Sequence, residues 1–308
     1  MDRIRANFGT RLCSASCTSN ARIDGKTVII TGGNTGIGKE TAIDLAKRGG
    51  KIILACRNAE RAEKAVEEIK QASNSQNVQF YLMDLSSLRS VREATERILK
   101  NEDKIDILIN NAGIMMTPFA KTVDGYESQF ATNHLGHFLF TLLLMKRIKE
   151  TNGAKIINVS SEGHRWSSLN FEDLNSENNY SSLTAYANSK LANILFTREL
   201  SRRLVGTDIH VYALHPGFVD TELARSVDSR VFKYFIDFWM KWMAKTAKQG
   251  AQTTIYCAVD ENAAKETGLY YAECKPTKPS KQALNNETAE RLWEKSLEMV
   301  GLKNYSEI

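Results

Sequence analysis

The stretch Thr27-Val28-Ile29-Ile30-Thr31-Gly32-Gly33-Asn34-Thr35-Gly36-Ile37-Gly38 reads as a β-branched strand running into a glycine-rich turn, and the pattern over 39–48 is helical. Glycines let a backbone come close to a pyrophosphate, and the free N–H groups and dipole of a helix N-terminus favour that anion. A glycine-rich turn alone says little. With a strand before it and a helix behind it, Gly32, Asn34, Thr35, Gly36, Ile37 and Gly38 become candidate phosphate-binding residues of a dinucleotide site.

Working outward, the segments 51–56, 78–83, 105–110, 155–160 and 210–214 repeat the β-branched pattern, with helical stretches between them. Strand, helix, strand at this spacing implies right-handed crossovers. The expected architecture is α/β: a Rossmann-like, doubly wound parallel sheet with helices on both faces, in a single domain over 23–302. A ligand should then sit at the carboxyl ends of the strands, where every motif below falls. The polar stretch 162–183 reads as a surface excursion, and 1–22 and 303–308 read as tails.

The composition of this 308-residue chain, 42% hydrophobic and 25% charged, suits a globular protein. A net charge of +5 without a Lys/Arg block argues against nucleic acid as a partner. Five cysteines without a repeating framework fit a reducing compartment. Among the first 22 residues, Arg3, Arg5, Arg11 and Arg22 stand against Asp2 alone, which fits either a transit-like leader or a frayed basic terminus. No apolar run approaches the roughly 18 residues of a spanning helix.

After the second strand, a site preferring NAD would place Asp or Glu against the ribose hydroxyls. Leu54-Ala55-Cys56-Arg57-Asn58 offers no carboxylate, and the Arg57 guanidinium suits a 2′-phosphate. The cofactor expected is NADP(H). Asp84 and Leu85 follow the third strand and fit its adenine end, although Asp84 also reads as an N-cap for the helix starting near Leu88. Asn111, Ala112 and Gly113 follow the fourth, where small residues and amides allow close passage by a ligand.

Tyr186 and Lys190 are four residues apart on one helical pattern, so their side chains share a face. A tyrosine that moves protons near neutrality needs its pKa lowered by about three units, and a neighbouring ammonium with a cationic cofactor ring supplies that direction. Ser160 and Ser161 end the fifth strand, where a hydroxyl can donate to a carbonyl oxygen as charge develops. Asn133 interrupts a helical stretch, with its amide expected to hold Lys190 directly or through water. His134 and His137 lack the further ligands of a metal site and read as packing residues.

The set Thr31-Gly32-x-x-x-Gly36-x-Gly38, Asn110-Asn111-Ala112-Gly113, Asn133, Ser161, Tyr186-x-x-x-Lys190 and His215-Pro216-Gly217 resembles the short-chain dehydrogenase/reductase family over nearly the whole chain. Leu135-Gly136-His137-Phe138 and Ser189-Lys190-Leu191-Ala192-Asn193 resemble its retinol dehydrogenase branch. The resemblance implies Tyr186 as acid/base, Lys190 on the nicotinamide ribose, Ser161 rather than Ser160 orienting the carbonyl, and Asn133 in a proton relay. It also implies Pro216, Gly217, Val219 and Thr221 around the carboxamide, Thr221 standing near where many retinol dehydrogenases have Ser.

Residues 231–243 carry six aromatics, with Lys233, Asp237, Lys241 and Lys245 on a narrow polar seam. The resemblance implies a lid over the substrate at about 222–246, and a lid packed on its own core, a homo-dimer contact and a peripheral membrane contact through Phe232, Phe235, Trp239 and Trp242 all account for this pattern. The membrane reading places the protein inside the cell, on an endoplasmic reticulum or mitochondrial membrane. The expected activity is NADP(H)-dependent interconversion of a hydrophobic aldehyde or ketone, retinal or another lipid aldehyde foremost, with its alcohol. Alternatives are a steroid or other lipophilic carbonyl reductase, and a catalytically silent NADP-binding sensor on the same fold.

Overall fold

Parallel pairing of Thr27–Thr31 (β1) with Lys51–Cys56 (β2) on one side and Ile107–Asn110 (β4) on the other sets the architecture. Val78–Leu82 (β3) extends the sheet beyond β2, and Lys155–Val159 (β5) and His210–Leu214 (β6) extend it beyond β4. The strand order is β3-β2-β1-β4-β5-β6-β7-β8, with Tyr270–Ala272 (β7) parallel and Lys275–Pro276 (β8) antiparallel at the edge. The chain therefore reverses its direction of winding between β1 and β4, and the crevice of such a sheet opens there. The computed structural model describes residues 14–167, 169–219 and 245–308, so Thr221 and the aromatic segment 231–243, with nearly all of the expected lid, lie outside the described residues.

Side chains alternate across the strands, so each face of the sheet buries its own core. Val28, Ile30, Ile52, Leu54, Ile107 and Ile109 pack on one face beneath Gly36–Lys47 (α1), Ala59–Ser73 (α2) and Gln252–Val259 (α6). Ile29, Ile53 and Leu108 pack on the other, beneath Leu88–Asn101 (α3), Gly136–Lys149 (α4) and Ser182–Arg203 (α5). The β7–β8 hairpin was not anticipated from sequence: strands of three and two residues are too short for a period-2 pattern. Residues of the basic N-terminal segment lie against the body, where Arg48 donates to the carbonyls of Ser19 and Ala21 and the Cys17 amide donates to Gln252.

Helices α4 and α5 carry little of the amphipathic pattern of a surface helix, and a second cover explains why. Asn286–Met299 (α7), N-capped by Asn285, lays Trp293 into an aromatic cluster with Phe138 (5.1 Å between centroids) and Phe196 (6.0 Å). The Arg203 guanidinium covers the indole at 4.6 Å. Trp293 is only 2% exposed. Trp293→Ala should therefore lower unfolding stability by about 3–5 kcal/mol, read from urea denaturation; a loss below about 1 kcal/mol would show that α7 does not anchor this face.

Candidate functional site

The site residues singled out from sequence that are described lie at the carboxyl edge of the sheet. After β1, Gly32 takes φ +64°, a backbone region that favours glycine, and a Cβ on Gly38 would lie 2.6 Å from both the Asn111 amide nitrogen and the Gly32 carbonyl. Thr35 is the N-cap of α1, in extended conformation and without a side-chain cap bond, so the first-turn amides have no internal acceptor from the cap. That is a fit for an anionic phosphate. Ile37, in the same turn, and Val219, beyond β6, both lie against Gly250, which brings the two loops together.

Arg57 stands exposed just beyond β2, and no ion pair engages it among the described residues. The Cys56 thiol beside it is buried against the amides of Gly32, Gly33 and Asn34, and burial pushes its pKa up to about 11, so it is an inert packing group. Asp84 is not the N-cap of α3. Ser87 caps that helix through the Ser90 amide, while the Asp84 carboxylate accepts from the amide and hydroxyl of Ser86 at 2.9 and 2.7 Å. The competing cap lies closer to the first helical turn. Leu85 is buried against Gly136, where a Cβ would lie 2.4 Å from its carbonyl oxygen.

The Asn111–Gly113 loop is tied to β1. Thr31 Oγ1 accepts from the amides of Asn111 and Ala112 at 2.9 Å each, and the Asn111 side chain donates to the Thr31 carbonyl at 2.8 Å. Gly113 is wedged between catalytic candidates: a Cβ there would lie 3.2 Å from Asn133 Oδ1 and 3.4 Å from Lys190 Nζ.

Tyr186 and Lys190 occupy one turn of α5, with Lys190 Nζ 5.7 Å from the Tyr186 ring centroid. Lys190 Nζ donates to the Val159 carbonyl at the end of β5, 3.1 Å away. Burial depresses its pKa to about 8, because the low-dielectric site disfavours the ammonium. Burial likewise raises the Tyr186 phenol, and the Ser161 hydroxyl pulls it partly back. Burial thus outweighs the Ser161 hydrogen bond, and the phenol is raised where the spacing suggested a lowering. The adjacent serines differ in use: Ser160 Oγ donates to the Lys190 carbonyl at 2.6 Å, whereas Ser161 Oγ faces Tyr186 and accepts from the Gly163 amide at 3.1 Å.

Asn133 lies in a π-helical stretch, Ala131–Leu135, ahead of α4. Its side chain does not hydrogen-bond Lys190, contrary to one of the arrangements expected. It donates to the Ile114 carbonyl and Ser189 Oγ, both at 2.9 Å, and accepts from the Ile114 amide at 2.8 Å. Ser189 in turn donates to the Tyr186 carbonyl at 2.7 Å, so Asn133 acts on the helical turn that carries both candidates. Beyond β6, Gly217 takes φ +87° and donates its amide to His215 Nδ1, while His215 Nε2 lies 3.4 Å from Glu162. The partners of Thr31, Ser189 and Glu162 were not legible in sequence, because a hydroxyl or carboxylate carries no sign of its partner there.

The model of the short chain dehydrogenase family matches residues 26–231. This chain belongs to the short-chain dehydrogenase/reductase family. It is 46% identical to mouse retinol dehydrogenase 12 over 289 residues, covering 93% of this chain and 90% of that one. With human retinol dehydrogenase 13 the identity is 45%, covering 94% and 88%. These relatives put the short-chain dehydrogenase/reductase in the retinol dehydrogenase branch, an oxidoreductase acting on CH–OH groups. Its fold matches a putative uncharacterized protein from Mycobacterium paratuberculosis with a TM-score of 0.76 at 35% identity, covering 94% of this chain and 98% of the other. A short chain dehydrogenase from Burkholderia cenocepacia in complex with NADP matches with a TM-score of 0.64 at 24% identity over 81% and 96%.

Two expectations follow for this dehydrogenase. Gly113→Ala should lower kcat about tenfold with little change in melting temperature, because its methyl presses Asn133 Oδ1 back by a few tenths of an ångström and fills the space up to Lys190 Nζ; unchanged turnover would show that the wedge is not critical. His134 and His137 are buried with pKa values lowered to about 3 and about 4, so the unfolded chain takes up their protons first as pH falls below about 6.5. Stability they contribute above that pH should fall by about 2 kcal/mol per histidine at pH 5, and go on falling toward the folded pKa values. Denaturant titrations at pH 8 and pH 5 read the loss, and His134→Gln should reduce it.

Proposed function

We propose that this dehydrogenase interconverts a hydrophobic aldehyde, retinal or another lipid aldehyde foremost, with its alcohol, using NADP(H). The convergence of Tyr186, Lys190 and Ser161 at the carboxyl edge of the sheet, with the Ser161 hydroxyl hydrogen-bonded to the Tyr186 phenol and Lys190 Nζ 5.7 Å from its ring centroid, is the observation that carries the reading. When bound, the nicotinamide cofactor supplies or accepts the hydride.

In the reducing direction, Ser161 Oγ orients the substrate oxygen and stabilises its developing charge, and the Tyr186 hydroxyl donates the proton. Lys190 holds the nicotinamide ribose, and its ammonium stabilises the tyrosinate left behind. Since burial alone raises the phenol, proton transfer depends on the positive charges gathered around it. Asn133 supports the pair through Ser189, and Gly113 separates it from Lys190. Gly32, Asn34, Thr35, Gly36, Ile37 and Gly38 cradle the pyrophosphate, and Arg57 reaches the 2′-phosphate. Asp84 and Leu85 would hold the adenine end, Asn111, Ala112 and Gly113 would flank the cofactor, and Pro216, Gly217 and Val219 would hold the carboxamide, the role the family resemblance also implies for Thr221.

Exposed apolar side chains favour a greasy substrate. Trp166 (61% exposed) follows Ser161 by five residues, and Phe218 (68%) stands next to Gly217. Leu183 at the start of α5 and Phe119 in the loop after β4 are exposed as well. Exposed apolar side chains suit entry of a lipophilic molecule from a membrane, as does the sequence of 231–243. No described helix is long and apolar enough to cross one.

Retinal turnover compared with NADPH and NADH tests the assignment. Arg57→Asp should lower kcat/KM with NADPH by about a hundredfold while changing it little with NADH, since one charge-assisted contact to the 2′-phosphate is lost and a repulsive one is gained. Equal losses with both cofactors would sink the NADP(H) reading.

A further inference from the structure

A buried line of hydrogen bonds crosses from β1 to the π stretch, and His137 is its centre. The imidazole, in the first turn of α4, is 2% exposed. Its Nδ1 lies 3.0 Å from the Asn133 carbonyl oxygen and its Nε2 lies 2.8 Å from Thr31 Oγ1. A carbonyl only accepts, so Nδ1 carries the proton. Nε2 of the neutral ring is then an acceptor, and the Thr31 hydroxyl donates to it. Thr31 Oγ1 uses its own acceptor capacity on the amides of Asn111 and Ala112, so one tautomer satisfies the whole line.

Both ends of the line matter chemically. At one end is the strand that delivers the glycine turn. At the other is a peptide in a five-residue π stretch, where carbonyls are displaced from the regular i→i−4 ladder and need other partners. The Asn133 side chain is already committed to Ile114 and Ser189, and Ser189 binds the Tyr186 carbonyl one turn before Lys190. A rotation of the Asn133 peptide would move all of these together. Lys190 and burial both disfavour an imidazolium here, so the ring stays neutral and its tautomer stays fixed.

We propose that His137 is a positioning residue for the reaction: its Nδ1–H fixes the Asn133 peptide, and through Asn133 and Ser189 it keeps the Tyr186 and Lys190 turn in register with the β1 and β4 loops. The proposal rests on the reading of Tyr186 and Lys190 as the proton-transfer pair. It separates the two ring contacts, because an Asn amide falls near the Nδ1 position and a Gln amide near the Nε2 position.

His137→Asn keeps a donor for the Asn133 carbonyl, His137→Gln reaches only Thr31, and His137→Leu makes neither bond. For retinal reduction with NADPH, kcat should fall about tenfold or more in His137→Gln and His137→Leu and stay within about threefold in His137→Asn, with the NADPH KM within about threefold throughout. Equal kcat in all three variants, equal loss in all three, or loss confined to the NADPH KM overturns the proposal. A second measurement needs no substitution. Nitrogen-15 NMR of the unaltered protein should find one histidine, assigned as His137, in the Nδ1–H form and still neutral at pH 5; an Nε2–H tautomer, or titration near the ordinary value of about 6.5, overturns it equally. Undiminished turnover in Tyr186→Phe would instead reject the catalytic reading while leaving the NMR result standing, so the two failures are distinguishable.

Discussion

Because β1 pairs in parallel with β2 on one side and β4 on the other, every loop that leaves the central strands does so along one edge. That pairing requires β1 to be buried on both faces, which Thr27-Val28-Ile29-Ile30-Thr31 satisfies with five buried residues. Strand direction then does what no single contact could: it brings residues from positions 31 to 217 to one crevice. The hydroxyl of Thr31 finishes the work at atomic scale, joining the end of β1 to the loop after β4 and to α4 in three hydrogen bonds.

The site above this edge is assembled by groups that hold one another. Asn133 holds Ile114 and Ser189, Ser189 holds Tyr186, Val159 receives Lys190, and Gly113 keeps a space that a methyl group would crowd. The electrostatics follow from the same closeness. Dehydration disfavours both the ammonium of Lys190 and the tyrosinate of Tyr186, so the pair sits in neutral-leaning surroundings where an incoming positive charge has a large effect on the phenol.

Much of the fold was legible because the strands of a parallel sheet are continuous β-branched runs, and the bounds read for β1, β2 and β6 are those of the structure. What escaped notice was short or relational. Tyr270–Ala272 and Lys275–Pro276 contain too few residues to show a period, and Pro276 masks the second as a turn. Asp84 and Ser87 are both competent caps in sequence, and only helix geometry chooses the latter. The residues of the site were visible by type and spacing, but their partners were not: Asn133 was legible as an interruption of a helical stretch, but that it works on Ser189 rather than directly on Lys190 depends on the π geometry of Ala131–Leu135, which the residue types do not specify.

The cover of α4 and α5 by α7 also orders events in time. Residues 286–299 emerge from the ribosome after all six central strands and after both helices they cover. Until then Phe138, Phe196 and their neighbours face solvent or whatever else binds them, so the nascent chain carries an uncovered aromatic surface along the helix that bears Tyr186 and Lys190. Covering of that helix is thus a late step of synthesis, and exposed apolar surface of this kind is what makes a partly folded chain prone to aggregate.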